Sequence, residues 1–114
     1  MSQLQAGLIN QLSGSTLVNT KNPLVGSSPS TATVGTSSAQ IVASNASRKG
    51  LVVINLSSNV VSLAFGSNTA VLNSGITLTQ NGSVYETSEY DFTLGAINAI
   101  ASGASSVVSI QEFT

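Results

Sequence analysis

The sequence predicts an all-β chain: a single antiparallel β-sandwich or jelly-roll-like domain with an extended N-terminal arm. Three observations carry this. From Ser30 onward, short apolar or alternating stretches recur at close spacing. Clusters of Gly, Asn and Ser separate them, as turns between strands require. Helix-forming residues are scarce after residue 30, which excludes an α/β alternation. At 114 residues the chain suits one domain. The expected division is an arm over residues 1–30 and a sandwich over residues 31–114.

Taken in order, residues 30–35 and 37–44 alternate small polar and apolar side chains, the period of a half-buried strand. Residues 51–56 are apolar throughout except for Asn55, which predicts a strand buried in the sandwich. Ser57-Ser58-Asn59 is a turn, and residues 60–65 return as a strand, so the two read as a hairpin. Gly66-Ser67-Asn68 turns again before a short strand over residues 70–72. Asn73-Ser74-Gly75 precedes a strand over residues 76–80. Asn81-Gly82 is the strongest hairpin signal, because a type I′ turn needs positive φ at both central residues. Strands over residues 83–87, 93–101 and 105–113 complete the set, the last two joined around Gly103. The predicted core contains Leu51, Val53, Leu63, Phe65, Leu78, Ile97, Ile100 and Val108.

The first 30 residues differ. Leu4, Leu8, Ile9 and Leu12 fall on one face of a short helix, with Gly7 inside the pattern and Gly14 placed to stop it. Gly14, Pro23, Gly26 and Pro29 then punctuate a stretch that still carries Leu17, Val18, Leu24 and Val25. Eight aliphatics in a segment with no core of its own point to an arm that orders against another subunit. Fixing its backbone costs about 1–2 kcal/mol per residue, which burial on a partner must offset.

Composition narrows the function. Charged residues are 6% of the chain, against roughly 25% in ordinary soluble domains. A surface of amides and hydroxyls gives little electrostatic protection against association, so much of it is expected to be covered by partners. The net charge of −1 supplies no basic field for nucleic acid or anionic lipid. The chain has no cysteine and no histidine, which removes disulfides, thiolate metal sites and the commonest general base. No apolar run approaches the length of a membrane span, and the N-terminus shows no secretory signal. The expectation is a protein made in the cytoplasm.

Few residues invite chemistry. Glu86, Glu89 and Asp91 lie close together between Tyr85 and Tyr90, yet their spacing fits no calcium loop, and an acidic solvated loop is the favoured reading over catalysis. Arg48-Lys49 reads as a polar lead-in to a buried strand, with a partner-facing basic pair as the alternative. No Ser or Thr has a visible base partner. The N-x-Ser/Thr triplets at Asn45, Asn55 and Asn81 are what an Asn- and Ser-rich chain produces by chance. No catalytic residue, metal ligand, cofactor or small-molecule substrate is expected.

The block from Gln40 to Ile110 resembles a family of small β-sandwich virion proteins of tailed bacteriophages. The resemblance lies in Gln40-Ile41-Val42-Ala43-Ser44-Asn45, in Arg48-Lys49-Gly50-Leu51-Val52-Val53-Ile54-Asn55, in the Phe65-Gly66 step, and in Ser74-Gly75-Ile76-Thr77-Leu78. The Asn81-Gly82-Ser83 turn and the closing Gly95-Ala96-Ile97-Asn98-Ala99-Ile100-Ala101 complete it. It covers about 70 residues and leaves the arm outside. It implies a decoration or cement protein on the capsid surface of the virion, bound to the major capsid protein and to itself as a homodimer or homotrimer. A head-fibre or tail component is the alternative within that class. A carbohydrate-binding module, using Tyr85 and Tyr90 as platforms, is the alternative from another.

Overall fold

The computed structural model describes residues 23–88 and 91–114. Leu4, Leu8, Ile9, Leu12, Leu17 and Val18, together with Glu89 and Tyr90, lie outside the described residues. Eight strands follow one another: β1 (Ser27–Val34), β2 (Ala39–Val42), β3 (Gly50–Asn55), β4 (Val61–Phe65), β5 (Ile76–Leu78), β6 (Val84–Glu86), β7 (Ile97–Ala101) and β8 (Ser106–Phe113). Among the described residues there is no helix.

The pairing is nested. β1 pairs with β8, β2 with β7, β3 with β6 and β4 with β5, all antiparallel, as in one long hairpin whose tip is β4–β5. Two further pairings, β3 with β8 and β4 with β7, roll that hairpin up. The result is two four-stranded sheets with orders β1-β8-β3-β6 and β2-β7-β4-β5. This is an eight-stranded jelly roll, the second of the two architectures expected from the sequence.

The nesting overturns two local expectations. β3 and β4 do not form a hairpin, because they lie in different sheets and Ser57–Asn59 crosses between them. The same holds for Asn81-Gly82: both residues take positive φ, 61° and 107°, as foreseen, but the turn joins β5 of one sheet to β6 of the other. An arch and a hairpin can share the same turn residues. What separates them is where the apolar faces find cover, and here both strands bury against one shared inner layer.

Residues 70–72 are not a strand. The 66–75 connection lies over the outside of the β2-β7-β4-β5 sheet, where Ala70 is buried and its N–H donates to Ser38 Oγ at 2.9 Å. Asn73 N–H donates to Ser62 Oγ at 2.9 Å, and Asn98 Nδ2 donates to the Asn68 carbonyl at 2.7 Å. This sheet therefore carries its own cover. β1 begins at Ser27, so residues 27–30, expected in the arm, belong to the body.

The core lies between the sheets. Leu51, Val53, Val61, Leu63, Leu78, Ile97, Ala99, Val108 and Ile110 are buried there, with Val34, Val42, Tyr85 and Ala101 around them. Ile100 is a correction. β7 buries Ile97, Ala99 and Ala101, so Ile100 falls on the opposite face of the strand and cannot share the layer with Ile97. Phe65 is only partly buried and packs on Tyr85, ring centroids 5.5 Å apart.

Polar clamps close the two ends of this small aliphatic layer. At one end Asn55, fully buried, donates from Nδ2 to the carbonyls of Asn59, Leu78 and Thr79 at 2.7, 3.2 and 3.0 Å. Its Oδ1 accepts from Ser57 N–H and Oγ at 3.0 and 2.7 Å. One amide thus supplies the bonds that a hairpin ladder would have made across the 57–59 crossing. Asn59 Nδ2 donates to the buried Ser106 Oγ, which donates to the Gly103 carbonyl. Among the described residues no buried side-chain nitrogen or oxygen lacks a partner.

Candidate functional site

Arg48 forms the clamp at the other end. It sits just before β3 and its side chain is wholly buried. Nε donates to Glu112 Oε2 at 2.8 Å, Nη1 to the carbonyls of Thr93 and Gly95 at 3.0 and 2.8 Å, and Nη2 to the Ala43 carbonyl at 2.7 Å. One planar guanidinium therefore ties the end of β2, the approach to β7 and the end of β8 together. As a partner-facing residue Arg48 is a correction: its side chain is wholly buried, and four of its five N–H donors bond inside its own chain. The reason lies in the loops, which present three carbonyls with no strand partner, and only a five-donor side chain satisfies them at once. Lys49 is partly exposed, and its Nζ donates to the Pro23 carbonyl.

The acidic segment holds itself together. Tyr85 Oη donates to Asp91 Oδ2 at 2.9 Å, while Asp91 Oδ1 accepts from Ser88 N–H at 2.6 Å and Ser88 Oγ at 2.9 Å. The Ser88 backbone bond, then its hydroxyl, then Tyr85 hold the Asp91 carboxyl below the usual carboxylate range. Burial first, and Asp91 second, push the Tyr85 phenol well above its ordinary value. Glu86 points the other way, on the outside of β6. Among the described residues no three His, Cys, Asp or Glu side chains gather as a metal site. Tyr85 is buried with its ring on Phe65, so it offers no stacking platform to a sugar.

The surface is more informative than any pocket. One sheet is covered by the 66–75 connection, as described above. The outer face of the other, β1-β8-β3-β6, has no cover among the described residues. Alternation puts Leu51, Val53 and Asn55 inward on β3, so Val52 and Ile54 face outward. Ile54 pairs with Val84 on β6, which is 52% exposed. Leu56 N–H donates to the Val107 carbonyl on β8, and these side chains are 55% and 37% exposed. Ile54, Leu56, Val84 and Val107 thus form an aliphatic stripe across three strands. The flanking positions Thr31, Thr33 and Ser109 carry hydroxyls, and Glu86 is the nearest charge on the face. This stripe was not foreseen. Its signal was present in Leu51-Val52-Val53-Ile54, a strand written for cover on both faces.

The chain enters the body at the end of the same sheet. Val25 and Gly26 N–H both donate to the Thr114 carbonyl, extending the β1–β8 ladder, and Pro23 is held by Lys49. Val25, Lys49, Ser47 and Thr114 border a shallow depression there. Leu24 and Val25, the described members of the expected arm, are exposed, Val25 at 88%. No family model matches the chain, and neither a curated protein nor a solved structure matches it.

Proposed function

We propose that this chain is a structural virion protein of the capsid decoration or cement type. The body adheres to the outer surface of a shell, and the N-terminal segment reaches a neighbouring subunit. One observation carries the reading. The jelly roll closes its own core without residues 1–22, yet the chain leaves the body through exposed Leu24 and Val25 into a segment bearing six more aliphatics. A self-sufficient body has no need of those side chains, and water disfavours them. Burial on a neighbour at about 25 cal/mol per Å² would give several kcal/mol per contact, repeated by symmetry. The resemblance to tailed-phage virion proteins names the major capsid protein as that neighbour, with further copies of the chain beside it. A place in a head fibre or tail draws on the same features. The buried Tyr85 ring takes away one of the two aromatic platforms that a carbohydrate-binding module would use.

The test compares the full chain with a variant lacking residues 2–22 for binding to shells stripped of the protein. The deletion stops short of Val25 and Gly26, whose bonds to Thr114 belong to the body. The truncated chain should keep its β circular dichroism and lose shell binding, while the full chain stays bound at molar salt, because screening acts on exposed charges and little on apolar burial. Equal binding by both forms, or release of the full chain by moderate salt, refutes the reading.

A further inference from the structure

We propose that Asn81 is a site of spontaneous main-chain modification, deamidation to aspartate or isoaspartate, and that the arch between β5 and β6 gates it: the reaction requires local opening of the crossing. The inference concerns the chain alone and stands apart from the shell-binding reading.

The chemistry needs an asparagine followed by a residue that leaves its own nitrogen accessible. Asn81-Gly82 is the one Asn-Gly pair in the chain. Both residues are exposed, and Gly82 has no Cβ to shield its nitrogen. In the reaction the Gly82 nitrogen gives its proton to hydroxide and attacks Asn81 Cγ. The N–Cγ bond forms, the Cγ–Nδ2 bond breaks, and ammonia leaves with a proton taken from water, which restores the hydroxide. The product is a five-membered cyclic imide. Water then opens it on one of two sides. Cleavage of N–Cγ gives aspartate. Cleavage between that nitrogen and the Asn81 main-chain carbonyl carbon gives isoaspartate, whose main chain runs through Cβ and Cγ. The net change is one water gained and one ammonia lost, with no oxidation or reduction.

The fold opposes the first step. The nitrogen that must attack already donates its hydrogen to the Asn55 carbonyl at 2.7 Å. Asn81 N–H donates to the Ser57 carbonyl and Asn55 N–H to the Ser83 carbonyl, each at 2.9 Å. Three main-chain bonds thus lace residues 81–83 to the 55–57 crossing, and Asn55 is itself fully buried. They hold Asn81 and Gly82 at φ of 61° and 107°. The Gly82 nitrogen can turn onto Cγ only when this lacing opens, which is a local event.

The two products differ in what they leave behind. Aspartate tolerates positive φ as asparagine does, so the turn reforms. Isoaspartate inserts a methylene into the main chain between the N–H groups bonded to Ser57 and Asn55. The two bonds can then no longer be made together, and the crossing between the sheets stays loosened.

The test follows Asn81 in the full chain and in a peptide of residues 76–87, which lacks the crossing, in the same mildly alkaline buffer. Digestion and mass spectrometry read the conversion of each asparagine, and chromatography separates aspartate from isoaspartate. Conversion in the full chain should be at least about tenfold slower than in the peptide, because the three bonds must open together. It should accelerate in urea below the unfolding midpoint. The isolated isoaspartyl chain should unfold at lower urea than Asn81→Asp, which should match the unaltered chain. Equal rates in chain and peptide overturn the gate, and so does a full-chain rate that urea leaves unchanged. Faster conversion at another asparagine, such as Asn73 before Ser74, overturns the site. Equal midpoints for the isoaspartyl chain and Asn81→Asp overturn the part played by the crossing. The experiment contains no shell, so its failure and the failure of the decoration reading are distinguishable.

Discussion

Replacing Arg48 by Ala should be among the most damaging single changes available to this chain. The guanidinium is wholly buried and makes four hydrogen bonds, one to Glu112 and three to main-chain carbonyls of two separate segments. Removing one partner of a buried pair costs about 3–5 kcal/mol, because the groups left behind lose their bonds and cannot all regain water. A domain of this size has a total stability of about 5–15 kcal/mol, so the variant would retain a reduced margin. At about 4–8 °C per kcal/mol, the midpoint of thermal unfolding should fall by at least about 12 °C. Urea unfolding followed by circular dichroism gives the free energy directly. Glu112→Gln separates the two parts of the clamp. The Glu112 side chain is 21% exposed and the amide still accepts from Nε, so this variant should lose about 1 kcal/mol or less. A loss under about 1 kcal/mol for Arg48→Ala would refute the clamp. Equal losses for the two variants would mean that the ion pair dominates and the three carbonyls matter little.

Two other expectations follow from the same structure. Ile97→Ala should cost about 2–5 kcal/mol and Ile100→Ala under about 1 kcal/mol, measured by urea unfolding, because only Ile97 lies in the layer between the sheets. The Asp91–Tyr85 contact should show at both ends of the pH range. The folded Asp91 carboxyl is held low, so its contribution is present above the usual carboxylate range and is lost as pH falls through the folded value. The folded Tyr85 phenol is held high, so its contribution is complete below pH 10.0 and is lost as pH rises through the folded value. In a Tyr90→Phe background, ultraviolet titration should find the one remaining phenol ionising above the ordinary tyrosine range. A normal titration would remove the Asp91 bond from the account.

The sequence by itself determined the composition of the elements. Strand positions are period-two patterns bounded by turn residues, and those are local, so eight of the nine expected strands appear close to where they were placed. The inward set on β3 and β8, Leu51, Val53 and Val108, is likewise a matter of alternation. Tertiary structure decided what each turn connects. Ser57–Asn59 and Asn81-Gly82 have the residues of hairpin turns, and they became crossings because rolling up the whole hairpin lets both strands bury in one layer. It also decided the role of Arg48, whose acceptors are supplied by residues 5, 45, 47 and 64 positions away. The stripe on the outer face is both. Leu51-Val52-Val53-Ile54 states in sequence that two faces want cover, but which face the partner sheet fills, and which is left to Ile54, Val84 and Val107, depends on strand order, and strand order is fixed by contacts far apart in the chain.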